Sequence, residues 1–247
     1  MPALNLLTMN AHMGFSLFKR RFVLPELREA IRSVSADVVF LQEVLGAHAR
    51  HSLRHANWPQ GPQYEYLADT IWPQYAYGQN SAYPDGHHGN ALMSKFPIVR
   101  QENRDVSVHG HEGRGLLHCV LDPPGQARPL HAICVHLGLA EAHRQHQLEL
   151  LCEMVRSEVP DNAPLIVAGD FNDWRRRADG VLARCDLQEV FVAATGQAAR
   201  TFPARWPLLT LDRIYTRNLR IDRARVLSGR PWSHLSDHTP LLAGVRA

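Results

Sequence analysis

Five short apolar stretches of this chain end in a residue able to bind a cation, hold a phosphate oxygen or move a proton: Asn10, Glu43, His136, Asp170 with Asn172, and Asp212. A sixth group, Asp237-His238, stands just before the last apolar stretch. The most compact is Leu165-Ile-Val-Ala-Gly-Asp170-Phe-Asn172, whose apolar run reads as a strand covered on both faces. Past Gly169, Asp170 and Asn172 are two residues apart and project to the same side in extended geometry. A carboxylate beside a carboxamide in one cleft suits a water and a phosphate oxygen. Gly, Asp and Asn are also the commonest turn residues, so this segment alone is equally a turn. The recurrence of such residues at strand ends favours a shared site.

Glu43 and Asp237 are hard oxygen ligands, and Asn10 is a neutral one. That set suits magnesium or manganese retaining several waters. His48, His51 and His55 recur at spacings of three and four in a predicted helix over 46–57, a pattern open to zinc. No fourth ligand accompanies them, so a histidine-rich surface helix is preferred.

Apolar runs and turn signals divide the chain into successive elements. Leu4 to Met9 is a strand ending at Asn10, and Leu24, Leu27, Ile31 and Val34 form the apolar face of a helix beginning at Pro25. Asp37 to Val44 is a strand carrying Gln42-Glu43 at its end. The segment 58–89, rich in Pro, Gly and Tyr, is expected to be a variable loop region with a strand at Gln74 to Gly78. Gly89 to Pro97 and Ile98 to Val108 are expected as neighbouring strands, followed by strands at Arg114 to Leu121 and Pro129 to Leu137. Ala140 to Val159 is the strongest helix, with Leu148, Leu151, Val155 and Val159 on one face. Gly180 to Arg184 reads as a short helix, and Leu187 to Val192 fits either state. Strands at Leu211 to Tyr215, Leu219 to Leu227 and Thr239 to Val245 close the chain. Strands dominate without βα alternation throughout, so two packed sheets flanked by helices in a single domain, 1–247, are expected.

With 45% hydrophobic and 21% charged residues the composition is that of a globular protein, not a disordered or fibrous one. The balance of 27 Lys plus Arg against 24 Asp plus Glu, net +3, permits an anionic substrate without requiring one. Cys119, Cys134, Cys152 and Cys185 show no CxxC spacing and read as buried free thiols. No signal peptide or membrane span is evident, so a cytoplasmic location is the default expectation.

Taken together and in order, Thr-Met-Asn10, Leu-Gln-Glu43-Val, Gly-Asn90-Ala, Val-His136-Leu, Gly-Asp170-Phe-Asn172, Leu-Asp212-Arg-Ile and Ser-Asp237-His238 resemble the endonuclease/exonuclease/phosphatase superfamily. That superfamily includes deoxyribonuclease I, abasic-site endonucleases, neutral sphingomyelinases and inositol polyphosphate 5-phosphatases. The resemblance covers nearly the whole chain. It implies an α/β fold of the deoxyribonuclease I kind: a four-layered sandwich of two mostly antiparallel sheets flanked by helices. It also implies metal-assisted hydrolysis of a phosphate ester. By resemblance, Glu43 is the principal ligand of Mg2+ or Mn2+, with Asn10 and Asp237 close by. Asp170 matches the residue that orients or deprotonates water, Asn172 one that holds a phosphate oxygen, and His238 with Asp212 the histidine–carboxylate pair. His136 matches a second phosphate-facing histidine, and Asn90 and Arg114 are candidate substrate contacts. His12 departs from the pattern, standing where abasic-site endonucleases carry an aspartate.

The reading that follows is a metal-dependent phosphodiesterase acting on nucleic acid or a phospholipid-like diester. A phosphomonoesterase for a small phosphorylated metabolite and a non-catalytic phosphate- or nucleic-acid-binding protein on the same fold are the alternatives. The basic residues are dispersed, unlike those of a nuclease groove. Phe15, Leu17, Phe18 and Phe22 around Lys19-Arg20-Arg21 suit peripheral contact with an anionic lipid surface, and equally an aromatic layer packed under the loop. Trp206-Pro-Leu-Leu209 offers a second apolar lip. No obligate protein partner is evident.

Overall fold

The computed structural model describes residues 3–108 and 112–246, except the side chain of Lys19. The chain runs β1 (Leu4–Asn10), α1 (Leu24–Val34), β2 (Val38–His48), α2 (Ala49–Arg54), α3 (Gln63–Ala68), β3 (Gln74–Tyr83) and β4 (Gly86–Ser94). It continues through β5 (Ile98–Asp105), β6 (Gly115–Leu121), β7 (Leu130–His136), α4 (Glu141–Glu158), β8 (Leu165–Asp170) and α5 (Arg177–Leu182). The last elements are β9 (Gln188–Glu189), α6 (Val190–Thr195), β10 (Asp212–Arg217), β11 (Arg220–Val226) and β12 (Leu241–Arg246).

Two six-stranded sheets result, ordered β11-β12-β1-β2-β4-β3 and β5-β6-β7-β8-β10-β9. Among the described residues only β1–β2 and β7–β8 pair in parallel; every other strand pairing is antiparallel. Each parallel pair needs a crossover, which α1 and α4 supply. Every residue of β7 and β8 is buried, as expected for strands with side chains packed on both faces. Leu6, Phe40, Leu92, Cys119, Cys134, Ile166 and Ile214 fill the layer between the sheets. Leu27 and Ile31 of α1 cover the outside of the first sheet, and Leu148, Leu151 and Val155 of α4 cover the second. The order is helix, sheet, sheet, helix, the α/β sandwich that the motifs imply.

Several boundaries differ from expectation. β2 continues through Gly46 to His48 because its far end pairs with Gly86 to His88 of β4, leaving a helix only over Ala49–Arg54. Gly46 leaves the space that the His87 imidazole fills, since a Cβ would meet that ring at 1.9 Å unless the ring moved. The expected loop region over 58–89 holds α3 and a long hairpin. Its Gly, Asn and Ser content resembles loop, but Gly89 passes so close to Gly78 that a Cβ would lie 1.8 Å from the Gly78 carbonyl oxygen. β5 is not the sheet neighbour of β4; it crosses to the second sheet and pairs with β6. Leu187 to Val192 divides between β9 and α6. All four cysteines are buried and free.

Candidate active site

Strand register assembles the site. His136 ends β7 level with Asp170 at the end of β8, and Asp212 opens β10 level with Asp170 on the other side. Three polar side chains are therefore brought into one row along the end of the second sheet. From the first sheet, Asn10 ends β1 opposite Gln42, and Glu43 follows at a bulge where β2–β4 pairing jumps from Leu41 to Val44. Glu43 has φ of +53°. A left-handed non-glycine residue is costly and is retained where it re-aims a side chain.

The Asn10 amide joins the two sheets. Its Nδ2 donates to Glu43 Oε1 at 3.1 Å and to Asp170 Oδ2 at 3.2 Å, while its Oδ1 accepts from the His12 backbone N–H. Ser236 Oγ donates to the Asn10 carbonyl oxygen at 2.7 Å and pins the segment carrying Asp237 and His238. His238 Nδ1 lies 2.7 Å from Asp212 Oδ2, and its Nε2 lies 3.8 Å from Asp170 Oδ2. His136 Nε2 is 3.7 Å from the same oxygen. Asn172, with φ of +50°, donates its N–H to Asp170 Oδ1 and its Nδ2 to the Leu137 carbonyl oxygen.

Electrostatics divide these groups. Burial raises the Asp170 carboxyl to about 6; the His238 cation opposes that rise and the Asp212 charge adds to it. His238 resists its own burial because Asp212, Asp170 and Asp237 hold it protonated, up to about 10. His136, equally buried, is driven well below its ordinary range by desolvation, with Arg114 and His238 adding repulsion. One imidazole is thus a cation and the other neutral.

A cavity of about 320 Å³ opens onto Glu43, Arg114, His136, Asp170, Asn172 and His238. Its remaining walls are Leu139, Trp174, Phe202, Leu209 and Leu211. A larger hollow of about 690 Å³, between 45–63 and the β3–β4 hairpin, contains none of the strand-end groups, so chemistry and not size selects the smaller one.

Asn90 and Asp237 lie off the cavity wall. Asn90 is buried and gives its amide to the Gly115 and Cys134 carbonyls, tying the sheets together without lining the cavity. Asp237 does not line the cavity; its Oδ1 lies 3.1 Å from His12 Nδ1, and its neighbour Ser236 is held on the Asn10 carbonyl oxygen. Arg114 does line the cavity, fixed by the Leu137 carbonyl and an ion pair with Glu112. Trp174 and Phe202 were not legible as site residues. Phe202 packs at a tilt against His238, ring centroids 5.0 Å apart, and Trp174 is braced by the Arg144 guanidinium 5.0 Å from its ring. The one available signal was a tryptophan two residues past Asn172.

The donor chemistry fits a hard divalent cation. Glu43 is a half-buried carboxylate with no cationic partner among the described residues. Asn10 would have to turn its amide over to offer oxygen. Asp170, Asp212 and His238 also lie within a metal's reach of one another. A protonated His238 has no lone pair to give, so that trio reads as an acid–base chain, hydrogen-bonded from His238 to Asp212 and in ion-pair contact with Asp170. His48, His51 and His55 do not form a zinc centre. His48 caps α2 by accepting from the His51 N–H, while His51 and His55 stack on Trp58 and meet Phe15 tilted and edge-on. Phe15 is likewise buried and Phe22 half-buried on Trp58, leaving Phe18 exposed; the Lys19 side chain lies outside the described residues.

The molecule is thus an α/β sandwich whose two sheets meet in a seam lined by carboxylates, amides and one cationic histidine. Residues 7–238 match the model of the Endonuclease/Exonuclease/phosphatase family, and the chain belongs to that family. The activities in that name all break phosphate ester bonds, and the family is typically dependent on a divalent metal. YbhP, an uncharacterized protein of Escherichia coli (strain K12), is 55% identical over 240 residues, spanning 97% of this chain and 94% of its own. Two solved structures share the fold. D. rerio TDP2 complexed with a single-strand DNA product has a TM-score of 0.72 at 19% identity and full coverage of both chains. The Bacteroides thetaiotaomicron mannosyl-6-phosphatase Bt3783 has a TM-score of 0.74 at 16% identity, covering 99% of this chain and 100% of its own. Among the described residues no helix is long and apolar enough to cross a membrane.

Proposed function

We propose that the chain is a divalent-metal-dependent phosphodiesterase that hydrolyses its substrate by in-line attack of water. The observation that carries this reading is the chain of short contacts Asp212–His238–Asp170–Asn10–Glu43. It joins a proton acceptor, a cationic imidazole and a metal-type carboxylate across one cavity. Asp170, ionised above about pH 6, accepts a proton from the attacking water and orients it. His238 meets the charge growing on the phosphoryl oxygens, and Asp212 fixes its ring and keeps it charged. Neutral His136 and the Asn172 amide donate to the phosphate without adding charge, and Arg114 supplies a second cation. Glu43, with Asn10 and Asp237 beside it, would hold Mg2+ or Mn2+, which supplies Lewis-acid charge for the phosphoryl and leaving oxygens. Both a protein solved with a DNA product and a sugar phosphatase share this fold, so the ester class has to be measured.

The decisive assay compares bis-p-nitrophenyl phosphate with p-nitrophenyl phosphate in magnesium, manganese or EDTA, for wild type and Glu43→Ala. Metal-dependent cleavage favouring the diester, reduced at least about 100-fold in Glu43→Ala, is expected. Preference for the monoester would establish the phosphatase instead. Turnover undiminished by EDTA and by the substitution would refute the metal assignment.

A further inference from the structure

The exposed apolar residues of this protein are unevenly placed. Of the large hydrophobic side chains left open to solvent, Leu139, Trp174 and Leu209 line the active-site cavity, and Trp206 and Leu208 share the 202–209 loop with Leu209. Trp206 is 72% and Leu208 67% exposed. Chance exposure would scatter such residues singly, whereas a contiguous rim marks an interaction surface.

The 202–209 segment is a fixed hairpin. Thr201 and Phe202 N–H both donate to the Leu209 carbonyl, and Leu208 and Leu209 N–H both donate to the Phe202 carbonyl. Its base is stitched to the catalytic segment: the Ala204 N–H donates to the Asp237 carbonyl at 2.7 Å, and the Phe202 ring packs on His238. Whatever the tip rests on is therefore brought to the mouth of the site.

Cations share this rim. Arg205 precedes Trp206, Arg230 and Arg205 both act on the exposed ring of His234, and Arg175 follows Trp174. None of these three arginines forms an ion pair with an acid among the described residues. Protruding tryptophan and leucine flanked by uncommitted arginine match the acyl boundary and the charge of an anionic bilayer. A nucleic acid would account for the arginines and the indoles. It would leave three leucines without a partner, because an aliphatic side chain offers no face for base stacking.

We propose that the 202–209 hairpin and the Leu139–Trp174 lip seat the protein on an anionic phospholipid surface, and that the phosphodiester it cleaves belongs to a lipid headgroup. The second half rests on the phosphodiesterase reading; the docking does not.

The test is sedimentation, in EDTA, with phosphatidylcholine vesicles with and without phosphatidylglycerol. Wild type is expected to sediment with the anionic vesicles. Trp206→Ser/Leu208→Ser should lose at least about tenfold in partitioning, and Arg205→Gln/Arg230→Gln should lose the preference for phosphatidylglycerol. Both variants should keep their thermal midpoint and their rate on bis-p-nitrophenyl phosphate. No vesicle binding, or binding that neither variant alters, overturns the proposal. So does a single-stranded oligonucleotide that binds wild type and is released by Trp206→Ser. Vesicle binding without any esterase activity would sink the phosphodiesterase reading and leave the docking surface standing.

Discussion

Asp170 lies between two imidazoles of opposite character, a cation at 3.8 Å and a neutral ring at 3.7 Å. The difference comes from the partner of each ring, since only His238 has a carboxylate within hydrogen-bond distance, at Asp212. Asp170→Asn removes the proton acceptor while keeping the shape, and His238→Ala removes the cation. Each should lower kcat at least about 100-fold, the usual scale for an acid–base or electrostatic group. Asp212→Asn keeps the ring but not its charge, so a loss of about tenfold or more, growing as pH rises, is expected. Steady-state kinetics on bis-p-nitrophenyl phosphate checks all three, and undiminished turnover in Asp170→Asn and His238→Ala would place the chemistry elsewhere. The residue types were legible because each stood where an apolar run broke off. Asn90, which stands before an apolar run and was singled out by resemblance alone, gives its amide to backbone carbonyls of the other sheet, because the packing between sheets decides where a strand side chain goes.

Among the elements, β7 and β8 place His136 beside Asp170 by an unusually close backbone approach. Gly169 has φ of +149°, and a Cβ there would lie 2.0 Å from the Val135 carbonyl oxygen. The backbone has no room to yield between two fully buried strands. Gly169→Ala should destabilise the fold by at least about 2 kcal/mol, through strain and overpacking. For a chain of this length that lowers Tm by about 4–8 °C. Gly180, inside α5, has nothing within 4 Å of its would-be Cβ. Gly180→Ala should be neutral or slightly stabilising, by up to about 1 kcal/mol. Thermal melts of the two variants side by side test the argument, and equal midpoints would show that the close approach costs nothing. Patterning within a single strand reveals some of these elements and hides others. The uninterrupted apolar runs of β7 and β8 announce burial on both faces, and α1 announces itself by its proline and its apolar spacing. The β3–β4 hairpin does not, because its glycines serve partner strands that a linear reading cannot see. The crossing of β5 to the second sheet is hidden for the same reason.

Over the whole molecule, the sandwich buries polar as well as apolar groups, and one polar set lies away from the catalytic end. His118 on β6 and His131 on β7 face α4, with His118 Nε2 3.0 Å from His131 Nδ1 and its Nδ1 3.3 Å from Glu158 Oε2. Desolvation lowers the pKa of His131 to about 4, with His118, Arg217 and Arg100 adding repulsion, and burial lowers that of His118 too despite Glu158. A histidine held neutral in the fold but free to charge when unfolded stabilises above its unfolded pKa, about 6.5. That stability is lost as pH falls from about 6.5 to about 4, because the unfolded chain then binds the additional proton. Asp170, raised by burial, works in the opposite sense over part of that range, so the informative quantity is a difference between proteins. Wild type should lose about 2 kcal/mol more than His131→Gln between pH 7 and pH 4.5. Chemical denaturation at a series of pH values measures this directly, and parallel stability curves for the two proteins would show that His131 already charges in the folded state.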